Sequence, residues 1–259
     1  MSHTEHEKNR AMWNEIVEIH INHPEYATAQ FLAGGSSLKK LELNELGDVH
    51  GKKLLHLMCQ FGLDTLSWAR QGAIVTGADI SDRSIELARD LSAKSGVPGT
   101  FVRSDVLDLI GKIDNQFDIV YQSYGTLCWL GDLKQWAKVV AHYLKPGGTF
   151  LLIDDHPVHF LFSEPGLSYF AAQPDYFENE PDYCDCSYRR KNVSVEWIHS
   201  ISELLTSLLE AGLVIEKFQE FDYGYYREGE GWTKIEDRWY PPTGPSKHPL
   251  MLLVRAAKR

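Results

Sequence analysis

The apolar positions of the chain fall into two rhythms. In residues 7–46, Trp13, Ile16, Val17, Ile19 and His20 recur at helical spacing, as do Leu38, Leu41 and Leu46. Gly34-Gly35-Ser36-Ser37 interrupts them, and Ser36 or Ser37 is placed to cap the helix that follows. From residue 51, short apolar runs alternate with amphipathic stretches. Lys53–Met58, Ala73–Ile80, Phe101–Ser104, Phe117–Ser123 and Thr149–Asp154 read as buried strands by length and neighbours. Between them, Gly62–Gln71, Asp82–Lys94 and Leu133–Leu144 read as helices. Asp64 lies near the start of the first, with Gly72 past its end, and Ser81 caps the second. Lys145-Pro146-Gly147-Gly148 is a strong turn signal closing the third.

Strands alternating with helices at this rhythm predict βαβ units: a mainly parallel sheet with helices on both faces. The rhythm then stops. Residues 156–198 are rich in aromatics and turn formers, without periodicity. Residues 199–213 resume as an amphipathic helix, Val214–Phe221 as a strand, 223–249 as irregular chain and Leu250–Ala257 as a last strand that adds an antiparallel partner. One domain over 1–259 is expected: an N-terminal helical cap (1–50), a core (51–155), an insertion (156–198) and a C-terminal part (199–259).

Composition narrows the function. No apolar run is long enough for a membrane helix, and the polar start MSHTEHEKNR is no secretory signal. A net charge of −10 repels phosphate backbones, so nucleic acid is an unfavoured partner. Arg189-Arg190-Lys191 is the one basic cluster; it can anchor an acidic group or be a solvated run of charge. Four scattered cysteines fit a reduced cytoplasmic compartment, and the pair Cys184/Cys186, without a second pair, reads as two incidental thiols and no metal site.

In an open α/β sheet a ligand sits beyond the carboxyl ends of the strands, near the switch in strand order. Four predicted strand ends carry informative residues. His56-Leu57-Met58-Cys59-Gln60-Phe61-Gly62 follows the first; Gly62 permits close backbone approach, but the dinucleotide fingerprint G-x-G-x-x-G is absent. Asp79 ends the second, where a carboxylate either holds both hydroxyls of a ribose or caps a helix. Ser104-Asp105-Val106 ends the third, where an acid and the next N–H suit the edge of an adenine. Gln122-Ser123-Tyr124-Gly125 ends the fourth, where a reacting centre would lie.

The stretch from Lys53 to Asp155 resembles the class I S-adenosylmethionine (SAM)-dependent methyltransferases of the small-molecule type. The motifs are LLHLMCQFGLDTL, VTGADISDRSIELAR, FVRSDVLDL, FDIVYQSYGTLCWL and LKPGGTFLLIDD, in the expected order and spacing. The resemblance implies a Rossmann-like sheet of seven strands, mostly parallel with an antiparallel last strand, and SAM as cofactor with S-adenosylhomocysteine as product. It also implies Asp79 on the ribose, Ile80 beside the adenosine, Asp105 and Val106 on the adenine, and the Gln122 backbone with Ser123 near the methionine part. The family's first motif is acid-x-Gly-x-Gly-x-Gly. Here His56 replaces the acid, Met58 and Gln60 replace two glycines and Gly62 remains, leaving Gln60 to supply part of the methionine recognition.

Transfer to oxygen or nitrogen calls for a general base. His156, just past the fifth strand, is the first candidate; Tyr124, His20 and His159 are others, with His20 read chiefly as a packed helix residue. Residues 156–198 hold nine aromatics and 223–249 six, half of the chain's total. They suggest a lid over an apolar or aromatic small-molecule acceptor, lined also by Trp129 and by Trp13, which is counted with the cofactor-side residues. Rival readings are methylation of protein or tRNA, a SAM- or adenosine-binding protein without turnover, and, at the level of fold, a nicotinamide-dependent dehydrogenase, which the missing glycine fingerprint disfavours.

Overall fold

The computed structural model describes residues 2–163, 166–226 and 230–259. In chain order, the cap comprises α1 (Ser2–Asn22), α2 (Thr28–Leu32) and α3 (Lys40–Leu46). The core comprises β1 (Lys53–Leu57), α4 (Leu63–Arg70), β2 (Ile74–Asp79), α5 (Asp82–Ser95), β3 (Thr100–Arg103), β4 (Phe117–Ser123), α6 (Leu133–Tyr143) and β5 (Leu144–Asp155). The insertion adds α7 (Pro157–Ser163) and a small hairpin of β6 (Asp175–Phe177) and β7 (Ser194–Glu196). α8 (Ile201–Glu210), β8 (Leu213–Phe221), a second hairpin of β9 (Thr233–Ile235) and β10 (Arg238–Tyr240), and β11 (Met251–Lys258) follow.

Seven strands form one sheet in the order β3-β2-β1-β4-β5-β11-β8, with β11 antiparallel to both neighbours. The central strands are apolar on both faces because helices cover both. One face packs Leu55, Leu57, Phe150 and Val254 against Trp136 and Val140 of α6 and Leu204 and Leu208 of α8. The other packs Leu54, Ile119, Leu151 and Leu253 against Trp68 of α4 and residues of α3. A third cluster around Phe61, Ile85 and Phe101 receives Val17 of α1 and Phe31 of α2. Edge strand β8 carries Glu216, Lys217 and Glu220, charges that discourage further pairing.

Ser81, Asp132 and Ser200 cap α5, α6 and α8 through side-chain oxygens. Two local expectations are corrected. Neither Ser36 nor Ser37 caps α3: the cap is Lys39, whose N–H donates to Glu42 Oε1 at 2.6 Å. Ser37 is occupied elsewhere, tying the cap to α4 through Asp64 and Ser67. The Lys145–Gly148 turn is absorbed into β5 as an irregularity, where pairing jumps from Phe117–Leu144 to Ile119–Thr149. Asp118 lies at the jump, accepting from Lys53 N–H at 2.8 Å and Lys145 Nζ at 2.7 Å.

The insertion lies along α1. Asn9 exchanges two bonds of 2.7 Å with the Val195 backbone, as a neighbouring strand would. Glu15 accepts from Tyr188 OH, Lys191 N–H and Asn192. Residues 164–165 of the insertion and 227–229 of the later irregular stretch lie outside the described residues. Among those described, no helix is long and apolar enough to cross a membrane.

The end of β4 is fixed from below by a buried relay: Trp136 Nε1 donates to Gln122 Oε1 and Gln122 Nε2 to Thr126 Oγ1, both at 2.8 Å. Trp136→Phe keeps most of the apolar volume and strands the Gln122 oxygen. The expected cost is about 1–3 kcal/mol, the penalty of an unpaired buried acceptor. Urea unfolding checks it as a lower midpoint at unchanged slope.

Candidate active site

β1 lies beside both β2 and β4, so the direction of strand succession reverses between β1 and β4. In a sheet of this order a ligand crevice is expected beyond the carboxyl ends of these strands.

The loop leaving β1 is shaped by three left-handed residues at alternate positions: Met58 (φ 55°), Gln60 (φ 50°) and Gly62 (φ 75°). Gly62 is required there twice over, since a Cβ would also come within 2.6 Å of the Phe101 ring. Met58 and Gln60 adopt a backbone that side chains disfavour, at a cost of order 1 kcal/mol or more each. The loop is held by Cys59 N–H on Ala78 O (3.0 Å), Gly62 N–H on Cys59 O (2.8 Å) and Gln60 N–H on Asp79 Oδ2 (2.8 Å). Asp79 Oδ1 accepts Ser81 N–H at 2.8 Å. Burial pushes the Asp79 carboxyl up to about 6 against the pull of these donors. Each oxygen keeps a lone pair for a ligand.

His56, in the place of the family's acid, turns into the protein. Nδ1 lies 2.8 Å from Thr65 Oγ1, the ring leans on Tyr121, and Nε2 has no partner among the described residues. Burial lowers its pKa to about 4, so it is neutral.

At the end of β3, Asp105 is already engaged. Oδ1 accepts Leu107 N–H at 2.9 Å, and Oδ2 accepts from His6 Nδ1 at 2.6 Å. The tautomer is set because His6 Nε2 accepts Gly131 N–H at 3.0 Å. Burial alone would raise the Asp105 carboxyl, but the hydrogen bonds from His6 and Leu107 hold it below the usual range. Val106, buried, starts the short turn beyond, and Ile80 follows Asp79, partly exposed. His6 gave no sequence signal because its partner is 99 residues away.

The Gln122 side chain is consumed by the relay beneath the site and by Met58 Sδ at 3.7 Å. Ser123 lies near Asp64, at 3.5 Å. Tyr124 is also left-handed (φ 56°), and its hydroxyl donates to Glu42 Oε2 at 2.8 Å. Burial raises Glu42 to about 8. The rings of Tyr225 and Tyr226 meet Tyr124 edge-on. Buried Asp154 fixes the next loop by accepting the N–H groups of Gly125, Thr126, Leu127 and Asp155.

The structure does not bring His156 to this crevice. Its backbone N–H bonds Leu250 O, Nδ1 accepts Val158 N–H, and Nε2 faces Glu220 of edge strand β8 at 3.0 Å, across β11 from the strand switch. His159 pairs with His248 on the same side. His20, read as a packing residue, is instead the centre of a polar cluster above the β1 loop. Nε2 donates to Asp182 Oδ2 at 2.8 Å, and Nδ1 lies 3.0 Å from Gln60 Nε2 and 3.2 Å from Tyr183 OH. Trp13 meets the His20 ring and Trp129 edge-on.

Residues 55–152 match the methyltransferase domain family model. The ubiquinone biosynthesis O-methyltransferase of Saccharophagus degradans is 32% identical over 129 residues, 49% of this chain and 54% of that protein. The chain thus spans about half the length of the curated relatives it matches. Among solved structures, a SAM-dependent methyltransferase of Mesorhizobium loti superposes with a TM-score of 0.55 at 21% identity, covering 88% of this chain and all of that one. The glycopeptide N-methyltransferase MtfA in complex with SAM gives 0.54 at 16% identity over 85% of this chain and 92% of its own. These two share the fold. The strand order and the antiparallel β11 agree with that fold, and residues 55–152, over β1 to β5, are similar to the methyltransferase domain.

Proposed function

We propose that the protein transfers a methyl group from SAM to an oxygen of an aromatic small molecule. The observation that carries this is the β1 loop itself. Met58 and Gln60 stand where the family has glycine, and both retain the glycine-like left-handed backbone. Strain of that kind persists where the surroundings over-determine it, and it concentrates at ligand sites. The loop shape therefore survives the loss of the glycines, and Asp79, which enforces it, retains lone pairs for the ribose.

In this reading Asp79 holds the ribose hydroxyls and Ile80 flanks the adenosine. Val106 lines the adenine, with Asp105 reaching it beside His6. Met58, Gln60, Gly62 and the backbone of Gln122 and Ser123 receive the methionine part, with His56 buttressing the loop from behind and Trp13 closing the side. Bound there, SAM supplies an electrophilic methyl group on a sulfonium sulfur. Positioning and exclusion of water carry most of such a displacement. Helix α1 supplies the exclusion: it is tied to Asp105 through His6, to Asp82 through Arg10 and to Ser81 through Asn14.

Trp13, Tyr26, Trp129, Tyr124 and Tyr226 border the crevice and favour an apolar, aromatic acceptor over a nucleic acid. The O-methyltransferase names of the relatives point to oxygen as the accepting atom. Tyr124 serves as a wall through its bond to Glu42. His156, turned toward Glu220, has no part in proton transfer. The four cysteines, all free thiols, accord with work in the reduced cytoplasm.

Asp79→Ala removes the ribose acceptor and frees two backbone donors of the loop, so SAM affinity is expected to fall by about 1.5–3 kcal/mol, roughly 10- to 100-fold. Calorimetric titration with SAM measures this, and unchanged affinity would discard the placement of the ribose. Because folding raises the Asp79 carboxyl to about 6, the ionised form that accepts the hydroxyls is dominant above that pH and is lost below it. Affinity should be flat from pH 7 to 8 and drop about tenfold by pH 5, a dependence that Asp79→Asn abolishes.

A further inference from the structure

We propose that His20, oriented by Asp182, is the catalytic base that takes the acceptor's proton, and that the acceptor is a phenol occupying the place where Tyr183 now rests. This rests on the methyltransferase reading and deepens it.

A neutral imidazole acts as a base at one nitrogen only if the other holds its proton. Asp182 enforces that condition here. It is buried and accepts two backbone N–H groups on Oδ1, from Cys184 and Asp185, leaving Oδ2 for His20 Nε2 at 2.8 Å. Both side chains are fully shielded from solvent. Nδ1 is then the acceptor, and the groups around it are able to donate: the Gln60 amide nitrogen at 3.0 Å, the Tyr183 hydroxyl at 3.2 Å and the Tyr26 hydroxyl at 3.4 Å. This is the base-plus-orienting-carboxylate arrangement that acid–base catalysis uses repeatedly.

Position and shape supply the second half of the argument. Gln60 belongs to the left-handed loop beside Asp79, so Nδ1 of His20 lies one side chain from the cofactor crevice. The group that covers it is itself a phenol. The Tyr183 hydroxyl is 2.6 Å from Tyr26 OH as well as near Nδ1, while the residue is 65% exposed. Tyr183 thus meets the imidazole with its ring, at 4.6 Å between centroids, and with its hydroxyl, while the rest of the residue stays open to solvent. A phenol arriving from solution can take the same two contacts, with Trp13 and Tyr26 beside the imidazole. Burial pushes the hydroxyls of Tyr26 and Tyr183 upward, so they remain neutral donors, and it raises the Cys184 thiol to about 12, so that group is no nucleophile. The acceptor oxygen gives its proton to His20 Nδ1 and uses the freed electron pair to form the new C–O bond. The pair of the broken S–C bond stays on sulfur, and the imidazolium rests against Asp182.

The test presents wild-type protein and SAM with a panel of nitro- and halogen-substituted and unsubstituted phenols of graded acidity, reading S-adenosylhomocysteine release. His20→Ala should bind SAM as wild type does by calorimetry and still methylate the most acidic, already ionised phenols. It should lose about 100-fold or more on the weakest acids, the usual scale of general-base catalysis. Asp182→Asn should show the same acidity dependence with a smaller loss, and Tyr183→Ala should lower KM for the phenols while leaving kcat unchanged. Independently of activity, the imidazole 15N shifts of His20 should show the Nε2-protonated tautomer in wild type, which carries the test if His20→Ala does not fold.

A uniform loss across the panel, an Nδ1-protonated His20, or loss of SAM affinity in a folded His20→Ala would overturn the assignment. So would stoichiometric zinc in the purified protein that disappears in Asp182→Asn, since His20, Asp182 and Cys184 place ligand atoms within 4.8 Å of one another. A wild-type protein that binds SAM but methylates no phenol overturns the acceptor class. One that fails to bind SAM overturns the methyltransferase reading itself.

Discussion

The site depends on one carboxylate. Asp79 receives the N–H of Gln60 on one oxygen and that of Ser81 on the other, so it sets the path of the chain both where β1 ends and where α5 begins. Two non-glycine residues in the left-handed region would otherwise relax. A charge-assisted bond to a backbone N–H is worth about 1.5–3 kcal/mol, comparable to the strain it has to offset. The same constraint brings the Gln60 side chain under α1, where it meets His20. The geometry of the β1 loop and that of the His20 cluster are thus tied to a single residue on β2.

The cover over the crevice is polar where most packing is apolar. Along α1, His6, Asn9, Arg10, Asn14, Glu15 and His20 each bond to a group on another element. Buried polar groups are costly unless paired, and here the pairing is reciprocal, since the insertion satisfies α1 and α1 satisfies the insertion. Such a surface specifies its partner by position: a helix shifted by one residue would leave the buried Asn9, His6 and His20 unpaired. Apolar contact alone would tolerate that slip. α1 and the stretch from Asp175 to Trp197 therefore behave as one piece laid over the strand ends.

The core was legible because its physics is local. Runs such as FDIVYQS are apolar on both faces only where helices cover both faces, and Ser81 and Gly72 punctuate helices by backbone chemistry within a few residues. Asp79 and Asp105 could be placed because the fold fixes strand ends. What stayed hidden was set by contacts distant in sequence. Asp182 lies 162 residues from His20, Val195 lies 186 from Asn9, and Asp105 lies 99 from His6. On a helical wheel His20 falls on the packed face, and periodicity cannot tell a histidine buried among apolar groups from one buried against a carboxylate. His156 shows the same dependence: it follows a strand, and Glu220 on β8, 64 residues on, draws its ring.

Burial does one more thing at this site: it disfavours the charged form of several titratable groups near the strand ends. His56 is lowered to about 4, Glu42 raised to about 8, and the hydroxyls of Tyr121, Tyr124 and Tyr226 are pushed upward, each first by burial. Charge survives where it is specifically held, as on Asp105 by His6 and on Asp182 by His20 and two backbone donors. A buried surrounding is a poor solvent for separated ions. A positive sulfonium and an oxygen gaining negative charge are such a pair, and their reaction removes both charges. Attraction between them grows as the dielectric falls. The one ion that persists, the protonated base, forms beside a carboxylate already in place. In the proposed reaction, a buried base with a carboxylate prepared behind it thus favours the charge-cancelling transfer over hydrolysis, which needs water to enter.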